Sequence, residues 1–285
     1  MIHSMNPSDF PGATDSHTHV VGPLTRYPYA GSRAYTPHEA PLPAWRAMLA
    51  GLGMQRCVVV QPSFYGTDNA CTLDAAEHLG ANGRAVVLVD ANADAATLRA
   101  ALRPCVRGLR INFVHPGQNL AAARDPEAAR RLLAPYLALA RDHDLHLQLF
   151  QEPAGFLQAL PALADAGVDW VADHLAMIPA AHGCAAPAFQ LLRDHLASRG
   201  WVKLSGFYRL SQQRDWSDVA PMVRALVAAA PDRCLWGSDW PHTGLDHAVD
   251  PRATLAALQR WVPDPALQRR ILVDNPARLY HFASG

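Results

Sequence analysis

Asp15-Ser16-His17-Thr18-His19, near the N-terminus, places two histidines two residues apart in a stretch that has the pattern of a β-strand. Side chains at this spacing leave the same face of a strand, so His17 and His19 can act on one ligand. A His-x-His pair alone also occurs at random. Its counterpart is the short apolar run Cys234-Leu235-Trp236-Gly237-Ser238-Asp239, which delivers a carboxylate into a loop. Asp239 alone could cap a helix, so the prediction of a site rests on both stretches together.

Outward from these two stretches, short apolar or β-branched runs alternate with alanine- and leucine-rich segments of helical period. The predicted strands are residues 14–20, 56–62, 84–90, 106–112, 145–150, 168–174, 201–205 and 234–239. The predicted helices are residues 44–52, 73–79, 95–103, 126–142, 156–166, 187–198 and 217–229, with further short helices from about residue 251. A strand followed by a helix, repeated eight times, predicts an α/β fold of the (β/α)8 TIM-barrel type.

The length of 285 residues allows this barrel to form one domain over residues 1–285, since α/β barrels commonly reach about 250 residues as single domains. Half of the residues are hydrophobic, which is enough for a sizeable core. A doubly wound open sheet is the main alternative. Against it, no Gly-x-Gly-x-x-Gly follows the first strand and the sequence contains no phosphate-binding loop.

The charge and cysteine content indicate the partners and the compartment. The formal net charge is zero, which argues against nucleic acid or an anionic membrane as a partner and favours a small-molecule substrate. The five cysteines are odd in number and show no C-x-x-C spacing. With no charged-then-apolar leader and no apolar run of 18 residues, a reduced cytoplasmic location is predicted. The oligomeric state is left open.

Lys203 is the only lysine in the sequence. A binuclear site bridged by a carbamylated lysine would need a lysine near mid-chain, and the sequence has none there. For Lys203 itself, a snorkelling or salt-bridged side chain is favoured over a Schiff-base nucleophile.

Polar residues end most of the predicted strands. In a barrel the active groups come from the C-terminal ends of the strands, so these residues are site candidates. They are His17, His19, Gln61, Ser63, Asp90, Arg110, Asn112, Glu152, Asp173, His174, Ser205 with Arg209 downstream, Asp239 and His242. A loop often begins with a polar residue, but this pattern at the ends of so many strands indicates a catalytic face.

A specific combination of motifs extends over nearly the whole chain. The motifs are Asp15-Ser16-His17-Thr18-His19-Val20, Tyr27-Pro28-Tyr29, Tyr35-Thr36-Pro37, Val58-Val59-Val60-Gln61, residues 106–113, Asp173-His174, residues 235–242 and residues 272–280. Together they resemble the amidohydrolase superfamily, and within it the 2-pyrone-4,6-dicarboxylate lactonase branch. The resemblance implies a TIM barrel of the amidohydrolase type and a hydrolase that opens a lactone or pyrone ring, in aromatic or sugar-acid catabolism.

The resemblance also implies roles for individual residues. Asp239 matches the general base that takes a proton from water, and His17, His19 and His174 match the histidines that polarise the ester carbonyl. The remaining matches are to substrate-binding residues of the branch, in which arginines hold the substrate carboxylates. These predicted substrate-binding residues are Arg110, Arg209, Tyr35, Ser63 and His242.

Three departures from the branch concern the substrate. The dicarboxylate lactonase carries arginines where this chain has His115-Pro116 and Met177, and a tyrosine where this chain has Phe150. An unpaired buried carboxylate costs several kcal/mol. The sequence therefore predicts a substrate with fewer carboxylates than the dicarboxylate, or with an apolar substituent.

Metal use divides the functional hypotheses. No cofactor is favoured, because the lactonase branch works without metal and strand 5 offers Phe150 instead of a histidine. The alternative is one divalent ion such as zinc, held by His17, His19, His174 and Asp239. A metal-dependent decarboxylase of an unsaturated or aromatic carboxylic acid is accordingly the alternative function. A barrel that binds a ligand without turnover is disfavoured by the intact His-x-His and aspartate.

Overall fold

The computed structural model describes residues 10–113, 118–120, 123, 125–245 and 249–283. Within these ranges, eight parallel strands form one sheet whose spatial order follows the sequence. The strands are β1 Thr14–Thr18, β2 Arg56–Val60, β3 Gly83–Val87, β4 Val106–Asn112, β5 His146–Phe150, β6 Trp170–Ala172, β7 Gly200–Leu204 and β8 Cys234–Trp236. The predicted (β/α)8 barrel is confirmed.

The sheet closes between its first and last strands. The backbone N–H of Asp239 donates to the carbonyl oxygen of His17 (2.9 Å), and the N–H of His19 donates to that of Trp240 (2.7 Å). Gly237 allows this approach, because a Cβ there would lie only 2.5 Å from the Cβ of His17. The two stretches that predicted a site are therefore neighbours in the barrel wall.

The helices surround the barrel between the strands. They are α1 Leu42–Leu52, α2 Ala70–His78, α3 Ala95–Ala101, α4 Pro126–Asp142, α5 Pro153–Asp165, α6 Pro187–Leu196, α7 Phe207–Leu210, α8 Ala220–Ala229, α9 Pro251–Trp261, α10 Pro265–Arg269 and α11 Asn275–Leu279. Asp94, Asp125 and Asp250 start three of them, each accepting a backbone N–H of the first turn. In the described part of the chain, no helix is both long and apolar enough to cross a membrane.

Apolar side chains fill two separate regions. The larger core lies between the strands and the helices. A smaller one occupies the barrel interior, where Trp201 and neighbouring valines meet Tyr280 and Phe282 from the C-terminal segment. Since alternate residues of a strand share a face, Lys203 points into the interior two residues beyond Trp201. The interior is therefore apolar at its N-terminal end and polar towards the C-terminal ends of the strands.

Candidate active site

Four of the predicted site residues meet at one buried point. His17 and His19 come from the end of β1, His174 follows β6, and Asp239 follows β8. The Oδ1 atom of Asp239 lies 3.6 Å from Nε2 of His17 and 3.5 Å from Nε2 of His19. The Oδ2 atom lies 3.8 Å from Nε2 of His174. The structure thus places the three predicted histidines around the carboxylate of the fourth residue, Asp239.

Left-handed backbone shapes two loops of this site. Nine non-glycine residues among those described have positive φ, and six of them lie in the loops that carry His174 and Asp239. They are His174, Leu175, Ala176, Met177, Asp239 and His242. The predicted strand over 168–174 therefore ends early, at Ala172. Each such residue costs about 1–2 kcal/mol, a strain typical of functional sites.

Two side chains donate hydrogen bonds to Oδ2 of Asp239, the oxygen that does not face His17 and His19. The hydroxyl of Tyr208 and the Nε–H of Arg209 (3.1 Å) both donate to Oδ2. Burial disfavours the charged form of Asp239, but His174 and Arg209 outweigh it and hold the pKa of the carboxyl well below 3.8. Asp239 is therefore ionised at neutral pH, with Oδ1 turned towards the two histidines of β1.

The histidines are anchored through their Nδ1 atoms. Nδ1 of His19 lies 2.7 Å from the carbonyl oxygen of Val60, to which it donates, and Nδ1 of His174 lies 2.8 Å from the hydroxyl of Ser205. Burial lowers the pKa of His174 to about 4, against the opposing effect of Asp239. Burial, and next to it Lys203, lowers the pKa of His17 well below 6.5. His17 and His174 are therefore neutral near pH 7.

A buried charged network lies beneath the histidines. Asp173 accepts a hydrogen bond from Gln148 (3.1 Å), and its carboxylate lies 3.5 Å from Nζ of Lys203 and 3.7 Å from Nη2 of Arg110. Burial disfavours the charge on Asp173, but Lys203 and His17 hold its pKa well below 3.8. Burial lowers the pKa of Lys203 to about 8, with Asp173 opposing. Lys203 is fully buried and ion-paired with Asp173. It is therefore the salt-bridged side chain of the two predicted alternatives, and it does not snorkel.

The predicted substrate-binding residues have protein partners in this structure. Arg110 donates to the carbonyl oxygen of Gln61 (2.6 Å). Arg209 donates to the carbonyl oxygen of Thr243 (3.0 Å), and the hydroxyl of Tyr35 donates to the hydroxyl of the same residue (2.8 Å). Both therefore meet the loop after β8, beside Asp239. Their contact with a substrate carboxylate stays a prediction.

Two further predicted substrate-binding residues follow β8 and β2. His242 donates from Nε2 to the carbonyl oxygen of Ser238 (3.0 Å), and its ring packs edge-on against Tyr208 at 5.3 Å. Ser63 begins a short 3₁₀ turn after β2, and its carbonyl oxygen accepts the N–H of Gly66 (3.0 Å). His242 thus packs against a residue of the site, and the contact of Ser63 with a substrate stays a prediction.

Tyr208 is the site residue that sequence reasoning missed. It lies in α7, a single turn that the sequence did not predict, directly before Arg209. The one signal nearby is Gly206, which has φ 63° and passes so close to His174 that a Cβ would lie 2.7 Å from its Nδ1. A glycine followed by a short aromatic turn is too common to identify a catalytic partner.

Three of these residues could hold one metal ion. His17, His174 and Asp239 each offer one ligand atom, and the three atoms lie within 4.8 Å of one another. Nε2 of His17 has no hydrogen-bond partner among the described residues. Imidazole and carboxylate are ligands that zinc accepts, so the donor set fits a divalent ion.

An aromatic wall borders the site on the β5 side. The ring of Phe150 lies 5.7 Å from that of His174 and 5.0 Å from that of Phe113. The guanidinium of Arg110 lies 5.1 Å from the Phe150 ring. His115 and Pro116, which stand where the lactonase branch carries an arginine, lie outside the described residues.

A (β/α)8 barrel in which a His-x-His strand, a histidine after β6 and an aspartate after β8 converge at the C-terminal ends of the strands has the arrangement of a barrel enzyme. Residues 14–282 match the family model described as amidohydrolase. The chain therefore belongs to the amidohydrolase family, and the predicted family is confirmed.

Curated relatives that align along nearly the whole chain act on lactone rings. A 4-sulfomuconolactone hydrolase of Rhizobium radiobacter is 36% identical over 275 residues, covering 94% of this chain and 90% of the relative. A 2-pyrone-4,6-dicarboxylate hydrolase of Comamonas testosteroni is 33% identical over 285 residues, with coverage of 94% and 90%. These relatives confirm the predicted class of enzyme, a lactone hydrolase of this family.

A solved structure supports the same relationship. The Pseudomonas putida protein assigned as a 2-pyrone-4,6-dicarboxylic acid hydrolase superposes with a TM-score of 0.81 at 30% identity. The match covers 96% of this chain and 99% of that one. The whole barrel is therefore shared, including the ends of the strands that carry the site.

Proposed function

We propose that this protein hydrolyses a lactone or pyrone ring with Asp239 as the general base. The observation that carries the proposal is the position of its Oδ1 atom, 3.6 Å and 3.5 Å from the Nε2 atoms of His17 and His19. A water molecule beside Oδ1 loses a proton to Asp239 as its oxygen bonds to the ester carbonyl carbon. The ring C–O bond then breaks, and the leaving oxygen takes up the proton.

The histidines stabilise the charge that develops on the carbonyl oxygen. His17, His19 and His174 surround Asp239, and a hydrogen bond at Nδ1 holds each ring in place. The rings therefore need little rearrangement during the reaction. A donor fixed in this way contributes about 10²- to 10³-fold to the rate. His19, whose Nδ1 hydrogen is donated to Val60, can act as such a donor from Nε2 only in its protonated form. A positioned base contributes about 10²- to 10⁴-fold more.

The proposed substrate is a lactone with fewer carboxylates than 2-pyrone-4,6-dicarboxylate. Phe150 presents an apolar ring to His174, and Met177 continues the loop that carries that histidine. Arg110, Arg209 and Tyr35 are the candidates for a carboxylate contact, and Arg209 is in addition ion-paired with Asp239. We place the reaction in aromatic or sugar-acid catabolism in the cytoplasm, with a small molecule as partner and neither nucleic acid nor membrane.

We further propose that catalysis needs no metal. A zinc ion on His17, His174 and Asp239 would supply a Lewis acid and an activated water. Here three imidazoles already surround the Asp239 carboxylate, which is the proposed base, so general-base chemistry can proceed from the side chains alone.

The test is metal analysis of the purified protein together with a panel of lactones, assayed with and without chelator. We expect hydrolysis of a monocarboxylate lactone, with the same kcat after chelation and less than about 0.1 metal ion per chain. Loss of activity on chelation, restored by zinc, would overturn the metal-free mechanism. Arg110→Ala and Arg209→Ala are expected to raise KM for anionic lactones more than for neutral ones, and an equal rise would exclude a carboxylate clamp.

A metal-dependent decarboxylase of an unsaturated or aromatic acid is the second candidate. The close grouping of donor atoms from His17, His174 and Asp239 favours it. Stoichiometric zinc together with carbon dioxide release from an aromatic acid, and no lactone hydrolysis, would establish it in place of the first.

A further inference from the structure

Lys203 is the only lysine of the chain, and every other basic position of the Lys/Arg type holds arginine. It is completely buried inside the barrel, directly below the candidate active site. Its ammonium group has three neighbours at short distance. Nζ lies 2.6 Å from Oε1 of Gln148, 3.2 Å from Nδ1 of His17 and 3.5 Å from Oδ1 of Asp173. The first two of these atoms form hydrogen bonds with the ammonium group, and Oδ1 of Asp173 is an ion-pair partner.

Nδ1 of His17 has two polar neighbours, Lys203 and Asp173. One requires Nδ1 to accept a hydrogen bond and the other requires it to donate one. Lys203 forms a hydrogen bond with Nδ1, and because a protonated ammonium can only donate, Nδ1 must accept. Asp173 would require Nδ1 to carry a hydrogen. Its Oδ1 atom is 3.3 Å from Nδ1, yet it has no hydrogen-bond partner among the described residues. The geometry therefore favours donation from Lys203.

We propose that Lys203 is a positioning residue that fixes the tautomer of His17. A neutral imidazole whose Nδ1 accepts carries its hydrogen on Nε2. Nε2 is buried without a partner in the described part of the chain and faces Oδ1 of Asp239 at 3.6 Å. The Nε2–H is thus available to donate to the carbonyl oxygen of the substrate. This catalytic consequence rests on the proposed lactone hydrolysis, whereas the tautomer does not.

Gln148 keeps Lys203 in place. Its amide oxygen accepts from Lys203 and its amide NH₂ donates to Oδ2 of Asp173 (3.1 Å), so one side chain orients both charged groups. A compact ammonium suits this enclosed position better than the larger planar guanidinium of arginine. The network also bears on metal binding, because an imidazole nitrogen that carries a hydrogen has no lone pair for an ion. Lys203 thereby selects the donor form of His17 over the ligand form.

The test is the ¹⁵N spectrum of histidine-labelled protein without substrate, with the His17 signals assigned by their loss in His17→Gln. In the wild type we expect a protonated Nε2 and a bare Nδ1. In Lys203→Met we expect the hydrogen to move to Nδ1, where Asp173 accepts it. A wild-type spectrum with the hydrogen on Nδ1, or an unchanged tautomer in Lys203→Met, would overturn the proposal. If Lys203→Met does not fold, the wild-type spectrum alone decides.

Kinetics provide the second readout. Lys203→Met is expected to lower kcat for lactone hydrolysis about 100-fold, with KM changed less than about threefold, because the lost donor acts in the transition state. The double variant Lys203→Met/Asp173→Asn removes both buried charges and controls for an unpaired carboxylate. A double variant with restored kcat would show that Lys203 only neutralises Asp173, and would overturn the positioning role. If the tautomer is as expected but no lactone is hydrolysed, the proposed function fails and this inference stands.

Discussion

The backbone N–H of Asp239 donates to the carbonyl oxygen of His17 at 2.9 Å. This bond closes the barrel, and it also joins the proposed base to the strand that carries the His-x-His pair. The reciprocal bond from His19 to Trp240 fixes the same two segments. Because backbone atoms hold the position, substitution of the Asp239 side chain should alter the chemistry and leave the geometry of the site in place.

Asp239→Asn is expected to lower kcat for lactone hydrolysis about 10³-fold, since an amide cannot accept the proton of water. The measurement is steady-state kinetics, accompanied by circular dichroism to verify the fold. Asp142→Asn, at an exposed position in α4, is the matched control and should retain full activity. An undiminished kcat in Asp239→Asn would show that another group is the base.

Tyr208→Phe tests a partner that the sequence did not reveal. Its hydroxyl donates to Oδ2 of Asp239, and loss of a hydrogen bond to a charged group costs about 1.5–3 kcal/mol. We expect kcat/KM to fall about 10- to 100-fold. Tyr27→Phe removes a similar hydroxyl from Asp74 at the surface and should leave kcat/KM unchanged. Equal effects of both variants would mean that Tyr208 has no special role.

His146 predicts a pH dependence of stability. It is buried in the barrel, neither ring nitrogen has a hydrogen-bond partner among the described residues, and burial lowers its pKa from 6.5 to about 3. A depressed pKa means that the unfolded chain binds the proton more tightly. The contribution of neutral His146 is thus complete above pH 6.5 and is lost as the pH falls from 6.5 towards 3.

His146→Phe removes this titration and keeps a ring against Tyr280, which lies 5.4 Å away. Relative to wild type, the variant should gain about 2 kcal/mol more at pH 5 than at pH 8, because one proton contributes about 1.4 kcal/mol per pH unit. Urea unfolding at the two pH values measures the difference. His182→Phe, at an exposed position, is the control. A pH-independent gain would assign the effect to packing alone.

The sequence predicted the barrel because every strand and helix carries its own pattern. The β8 run from Cys234 is apolar, α4 starts at Asp125-Pro126 with cap and proline in place, and all eight strands lie within a few residues of their predicted bounds. Local patterns of this kind depend on neighbours in the chain. The turn after Ala172 does not follow from such a pattern, since four consecutive non-glycine residues there have positive φ.

The ends of the predicted strands supplied the candidate site residues, and the resemblance assigned their roles. His17, His19, His174 and Asp239 converge as expected, but the partners that set their charge come from elements with no motif. Tyr208 lies in a single helical turn, and the contact of Lys203 with His17 joins residues 186 positions apart. Burial and pairing across the barrel are properties of the fold, so no local pattern could reveal them.

The last prediction concerns the number of substrate carboxylates. Phe150→Tyr/Met177→Arg would introduce a hydroxyl beside His174 and a guanidinium three residues after it in the same loop, at two positions where the dicarboxylate lactonase branch carries them. A charge-assisted bond contributes about 1.5–3 kcal/mol, so KM for 2-pyrone-4,6-dicarboxylate should fall at least about tenfold. KM for a monocarboxylate lactone should stay within about threefold. Met177→Leu keeps an apolar side chain and should show no gain. If the double variant improves both substrates equally, these positions do not distinguish substrates by charge.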